Sequence, residues 1–99
     1  MSDRPSTSVS DDVVEVRYWA AARAASGVAS DRMPVGDGTT LAELLDAVRR
    51  LHGDRSRLAD VLAVCSVLVG ERPVGAADPA QVVLRPGDTV ELLPPFAGG

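Results

Sequence analysis

The first regular pattern along the chain is VVEVRYW, beginning at Val13. β-Branched and aromatic residues in two-residue alternation predict a strand. The alternation puts Val14, Val16 and Tyr18 on one face and Val13, Glu15, Arg17 and Trp19 on the other. AAARAASG follows at 20–27. Alanine favours helix and Gly27 suits a left-handed stop, so one short helix is expected. Met33 and Val35 are the apolar points of a second strand within 28–35, ended by GDG at 36–38. The clearest helix is TLAELLDAVRRLHG. Thr40 with Glu43 three residues on reads as a capping box. Leu41, Leu44, Leu45, Val48 and Leu51 recur at the spacing of one helical face, with Gly53 as the stop. Asp46, Arg49 and Arg50 lie off that stripe and should be solvated. A shorter helical piece is expected at 55–62.

CSVLVG, 65–70, reads as a buried strand, with a turn at Gly70-Glu71 and Pro73 beyond it. Asp78 and Pro79 fall in a loop, and QVVL, 81–84, is a short strand or extended segment. RPGD, 85–88, fits a type II turn, with Pro86 second and Gly87 third. TVELL, 89–93, is the last strand. One amphipathic helix must be covered by one face of a mixed sheet of four to five strands, which is a two-layer α+β domain. The opposite sheet face then has no internal cover and is free to meet a partner. The domain should span 13–95, between a polar, disordered tail at 1–12 and a flexible tail at 96–99.

Composition narrows the function classes. The 99 residues can bury one modest core. With three aromatic residues (Tyr18, Trp19 and Phe96) that core must be Val, Leu and Ala. A net charge of −4 argues against nucleic acid, which needs a basic patch. No apolar run approaches the length of a membrane span, and the start lacks the apolar segment of a secretory signal. The single cysteine, Cys65, has no internal disulfide partner, and a soluble cytoplasmic protein is expected. All ten basic residues are arginine, so no side-chain amine is available to accept a protein tail as an isopeptide.

Conventional catalysis finds little support. His52 sits at a helix end, where it complements the helix dipole or is exposed. Cys65 opens an apolar strand and reads as a buried structural thiol. No metal-ligand spacing and no phosphate-binding glycine fingerprint is present. A self-contained enzyme is not expected, nor a cofactor bound by the chain itself. What stands out is the ending, LLPPFAGG. Pro94 and Pro95 cannot donate to a sheet ladder and force an extended exit. The four residues from Phe96 onward reach about 13 Å when extended. Glycine lets other groups crowd both faces of a terminal carboxylate. Conversion of that carboxylate to an acyl-adenylate supplies a leaving group, and sulfur attack then yields a thiocarboxylate.

VEVRYWAAARAASG, TLAELLDAVRR and above all RPGDTVELLPPFAGG resemble the small subunits of molybdopterin synthase, sulfur carriers of the ubiquitin-like β-grasp family. The resemblance covers 13–99 and implies a β-grasp fold. It further implies that a ubiquitin-activating-like adenylyltransferase uses ATP to adenylate Gly99, and that a sulfur donor protein supplies the replacement for AMP. The tail would then enter the synthase large subunit, in a heterotetramer, and pass sulfur to cyclic pyranopterin monophosphate. Gly99 would be the thiocarboxylate carrier and Gly98 its flexible neighbour. Phe96 would pack in the partner's groove, with Ala97, Pro95 and Leu93 completing the tail and partner contact. Trp19 and Leu93 fit either the partner-facing sheet surface or the core. Members of the family commonly carry Asn-Gly where this chain has Val69-Gly70. Residues 75–81 are longer than usual, and 1–12 are extra. Sulfur donation to thiamine, cysteine or tRNA, attachment to target lysines, and plain binding remain as alternatives.

Overall fold

A computed structural model describes residues 12–53 and 57–95. Residues 1–11, the start of the short helical piece expected at 55–62, and Phe96, Ala97, Gly98 and Gly99 lie outside the described residues.

The chain runs β1 (Val13–Tyr18), α1 (Ala20–Ser26), β2 (Ser30–Pro34), α2 (Leu41–His52), α3 (Leu58–Leu62), β3 (Ser66–Val69), β4 (Arg72–Pro73), a 3₁₀ turn (Pro79–Gln81) and β5 (Thr89–Leu93). The five strands form one mixed sheet in the order β2-β1-β5-β3-β4. β5 is parallel to β1 and antiparallel to β3, and so occupies the centre. This is the α+β arrangement expected from the pattern.

Local chemistry accounts for the boundaries. Gly27, at φ 81°, closes α1 in the left-handed region and donates its N–H to the Arg23 carbonyl. Both halves of the capping box open α2: Glu43 N–H donates to Thr40 Oγ1 (3.2 Å) and Thr40 N–H to Glu43 Oε1 (2.9 Å). The type II turn is also present. Gly87 holds φ 92° at the third position, and Asp88 N–H donates to the Arg85 carbonyl at 3.0 Å. Gly87 N–H then reaches the Val13 carbonyl at 2.8 Å, which registers the start of β5 beside the start of β1.

The core lies between the sheet and the helices. Val14, Val16 and Tyr18 from β1, Val90 and Leu92 from β5, and Leu41, Leu44 and Val48 from α2 are all buried. Met33, Val35, Ala22, Leu58, Leu62 and Leu84 complete it. Each large aliphatic side chain buried this way contributes about 1.5–3 kcal/mol.

Three expectations are corrected. Leu51 is 56% exposed although it continues the apolar stripe of α2. In the last turn the inward direction falls on His52, and a residue one position away is rotated by about 100°. His52 is therefore neither exposed nor a simple dipole partner: its side chain is 14% exposed and contacts Asp31 of β2. The segment 65–70 is not a fully buried strand. β3 begins at Ser66, and only Val67 and Val69 pack against the core while Ser66 is exposed. Nothing among the described residues covers its other face, so the apolar run is buried on one side. Cys65 is half-buried. QVVL takes the extended alternative of its reading: Gln81 ends the 3₁₀ turn, Val82 is extended and Val83 makes one bridge to Thr40.

Candidate functional site

The sheet has one face under the helices and one face open. Alternation and register set the open face: Arg32, Glu15 and Thr89 form one row, and Ser30, Arg17, Glu91, Leu68 and Pro73 the next. Beyond them, at the end where β5 finishes, come Trp19, Leu93 and Ser66. Leu68 and Leu93 are half-exposed and take no part in the core cluster. Leu93 therefore belongs to the outward surface, the first of the two readings its sequence position allowed. Trp19 does as well, at 47% exposure.

Trp19 is fixed rather than loose. Its backbone N–H donates to the Leu92 carbonyl at 3.2 Å and its indole Nε1–H to Glu91 Oε1 at 3.0 Å. The next residue, Ala20, sits at φ 50°, in the left-handed region that costs an L residue about 1–2 kcal/mol. That strain lies where β1 turns sharply into α1, next to the indole that Glu91 of β5 holds. Arg17 adds an ion pair to Glu15 at 3.3 Å, both half-exposed. Exposed pairs of this kind are worth little in stability, and their use is to pattern charge around the apolar spots.

Of the residues expected to form the site, Leu93 and Pro95 are described. Leu93 is the last residue of β5, and Pro95 is exposed beyond it. Phe96, Ala97, Gly98 and Gly99 lie outside the described residues. The sequence reading did not find Leu68, whose outward position depends on the β3–β5 register, or the Trp19–Glu91 hydrogen bond, which joins residues far apart in the chain.

A second polar cluster lies on the inner side. Asp31 Oδ2 accepts from Tyr18 Oη at 2.8 Å and lies 2.8 Å from His52 Nε2. A carboxylate only accepts, so His52 presents Nε2–H to it. The Tyr18 and His52 rings meet edge to face with centroids 5.6 Å apart. Burial, then the hydrogen bond to Asp31 and its negative charge, push the Tyr18 phenol far above its ordinary pKa. The cluster satisfies its own polar groups and clamps the end of α2 onto β1 and β2. Burial also pushes the Cys65 thiol up, which disfavours the thiolate a nucleophile would need. Among the described residues no group of three or more His, Cys, Asp or Glu side chains could hold a metal. Nor is any helix among them long and apolar enough to cross a membrane. A depression beside β4, lined by Val69, Val74, Val82, Val83, Arg72 and Arg85, lies at the far end of β5 from Leu93.

A mixed sheet with a central parallel β1–β5 pair, one main helix across it and an outward face running into the last strand defines a ubiquitin-like β-grasp protein. Solved structures agree. SAMP1 from Haloferax volcanii matches with a TM-score of 0.68 at 25% identity, covering 88% of this chain and 99% of that one. A chain from the complex of subunits 1 and 2 of the molybdopterin-converting factor of Helicobacter pylori matches with a TM-score of 0.57 at 25% identity, covering 88% and 99%. The model of the ThiS family matches residues 16–99, and the chain belongs to that family. An Aspergillus niger relative named molybdopterin synthase sulfur carrier subunit is 29% identical over 86 residues, covering 86% of this chain and 92% of the relative.

Proposed function

We propose that the chain is the sulfur-carrier small subunit of a molybdopterin synthase, with the carboxylate of Gly99 as its reactive group. One observation carries this. The central strand β5 ends at Leu93 and passes directly into Pro94-Pro95, at the margin of an uncovered sheet face bearing Trp19 and Leu93. The sequence that follows is Phe96-Ala97-Gly98-Gly99.

A carboxylate is a poor acyl electrophile. An adenylating partner of the ubiquitin-activating type would join it to AMP at the expense of ATP. Sulfur from a donor protein would then displace AMP and leave a thiocarboxylate. The outward face would dock on the large subunit while the tail threads inward. Phe96 would fill an apolar groove, Ala97 and Gly98 would pass a constriction that a larger side chain would block, and Gly99 would deliver sulfur to cyclic pyranopterin monophosphate. In this reading the chain contributes no catalytic side chain and binds no cofactor. The active site belongs to the large subunit, in a cytoplasmic heterotetramer of two small subunits flanking a large-subunit dimer. The name of the Aspergillus niger relative and the two-subunit complex from Helicobacter pylori support the pathway and the partner.

A second reading, attachment of Gly99 to lysines of other proteins, draws support from the similarity to SAMP1, named small archaeal modifier protein 1. Adding one residue after Gly99 tests the carrier reading. Binding to the large subunit should survive, but sulfur transfer should be abolished. Retained transfer would remove Gly99 from the chemistry. Gly99 found on lysines in cell extracts, with no transfer to the pterin, would favour the second reading.

A further inference from the structure

An activated carboxyl terminus is a hazard to any amine within its reach. Six residues follow Leu93, and extended they span about 20 Å. On the outward face Arg17 lies opposite Glu91, two residues before Leu93. Its backbone is therefore within about 10 Å of the root of the tail. Arg32 lies opposite Glu15 one strand further out, within about 20 Å. Both distances are no greater than the extended length of the six residues that follow Leu93.

Positive charge is used across this body, as in the pairs Arg17–Glu15 and Arg50–Asp46. A lysine would serve such exposed pairs about as well, yet all ten cationic side chains are arginine. Among side chains, His52 and Cys65 are the remaining nitrogen and sulfur nucleophiles of this kind, and both are partly withdrawn from solvent. The His52 side chain is mostly buried, 14% exposed, against Asp31. Cys65 precedes Ser66, the residue paired with Leu93, and it is half-buried; burial pushes its thiol pKa up.

We infer that the body of this carrier is kept free of accessible side-chain nucleophiles so that its activated terminus is not consumed by acylating its own chain or a second copy. This rests on the carrier reading and adds a property of the body to it. The side reaction is aminolysis of the acyl-adenylate. A neutral amine's lone pair attacks the carbonyl carbon of Gly99 and a C–N bond forms. The C–O bond to AMP breaks, AMP departs with the electron pair, and the amine nitrogen loses a proton. The product is an isopeptide, and the carrier is spent. Lysine titrates near 10.4 and always has some neutral amine. The guanidinium stays protonated above about 12 and offers no lone pair. Arginine thus supplies the ion pairs without the nucleophile.

The test uses the full chain with an adenylating partner enzyme and ATP, in the absence of a sulfur source. The parent is compared with Arg17→Lys and Arg32→Lys. Intact mass should show species lighter by one water, or dimers lighter by one water than two chains, in the lysine variants and not in the parent. Peptide mapping should place Gly99 on the introduced lysine. Hydroxylamine added to the parent should trap the activated tail as a hydroxamate. Hydroxamate formation without any lysine-linked product overturns this inference and leaves the carrier reading standing. Absence of the hydroxamate overturns the carrier reading and this inference with it.

Discussion

Trp19 is held by its backbone hydrogen bond to Leu92 and its indole bond to Glu91, next to the left-handed turn at Ala20. Ala20→Val, which adds a β-branched side chain at φ 50°, should destabilise the fold by about 1–2 kcal/mol. Ala20→Gly should cost nothing measurable by the same urea titration. Trp19→Ala removes a half-exposed ring, so stability should hold, while binding to the large subunit weakens by roughly 2 kcal/mol, about thirtyfold; calorimetric titration reads the difference. Tyr18 makes a pH-dependent contribution. The folded chain binds the phenolic proton more tightly than the unfolded chain. Its stabilisation is therefore complete below the unfolded pKa of about 10 and falls away as pH rises above it. Urea midpoints of the parent should drop more steeply between about pH 9 and about pH 11 than those of Tyr18→Phe. Cys65 acts in the same direction in both proteins, so the difference isolates Tyr18.

At the scale of elements, the parts legible in the sequence were those whose determinants are local. The Thr40–Glu43 box, the Gly27 stop, the Arg85–Asp88 turn and the alternation of β1 all involve residues within a few positions of one another. Thr40→Ala should accordingly cost about 1 kcal/mol of unfolding free energy, because the Glu43 N–H loses its acceptor. What escaped the sequence depends on tertiary register. Leu51 and Val48 look equivalent on a helical wheel, and only the meeting of His52 with Asp31 across the fold decides which side of the last turn points inward. The run Cys65 to Val69 looks uniformly apolar, and only its pairing with β5 shows that Leu68 faces out. β4 escaped because two residues, one of them proline, carry no strand pattern. For the candidate site, the tail sequence could be read directly. The outward position of Leu93 could not, since its alternation phase needs the β1–β5 and β3–β5 pairings.

At the scale of the whole molecule, one layer of helices over a five-stranded sheet leaves half of the sheet's surface for a partner. The central strand then serves two ends. Val90 and Leu92 face the core and anchor the exit, while Glu91 and Leu93 face outward toward whatever receives the tail. The body is thus a rigid handle, and the chemistry is expected at Gly99. Intact mass spectrometry tests this most directly, on the chain incubated with ATP, the adenylating enzyme and a sulfur source. A gain equal to the replacement of one oxygen by sulfur, located at Gly99 and absent when Gly98 and Gly99 are removed, is the expected result. An unchanged mass in the parent, or undiminished molybdopterin formation with the truncated chain, would contradict it.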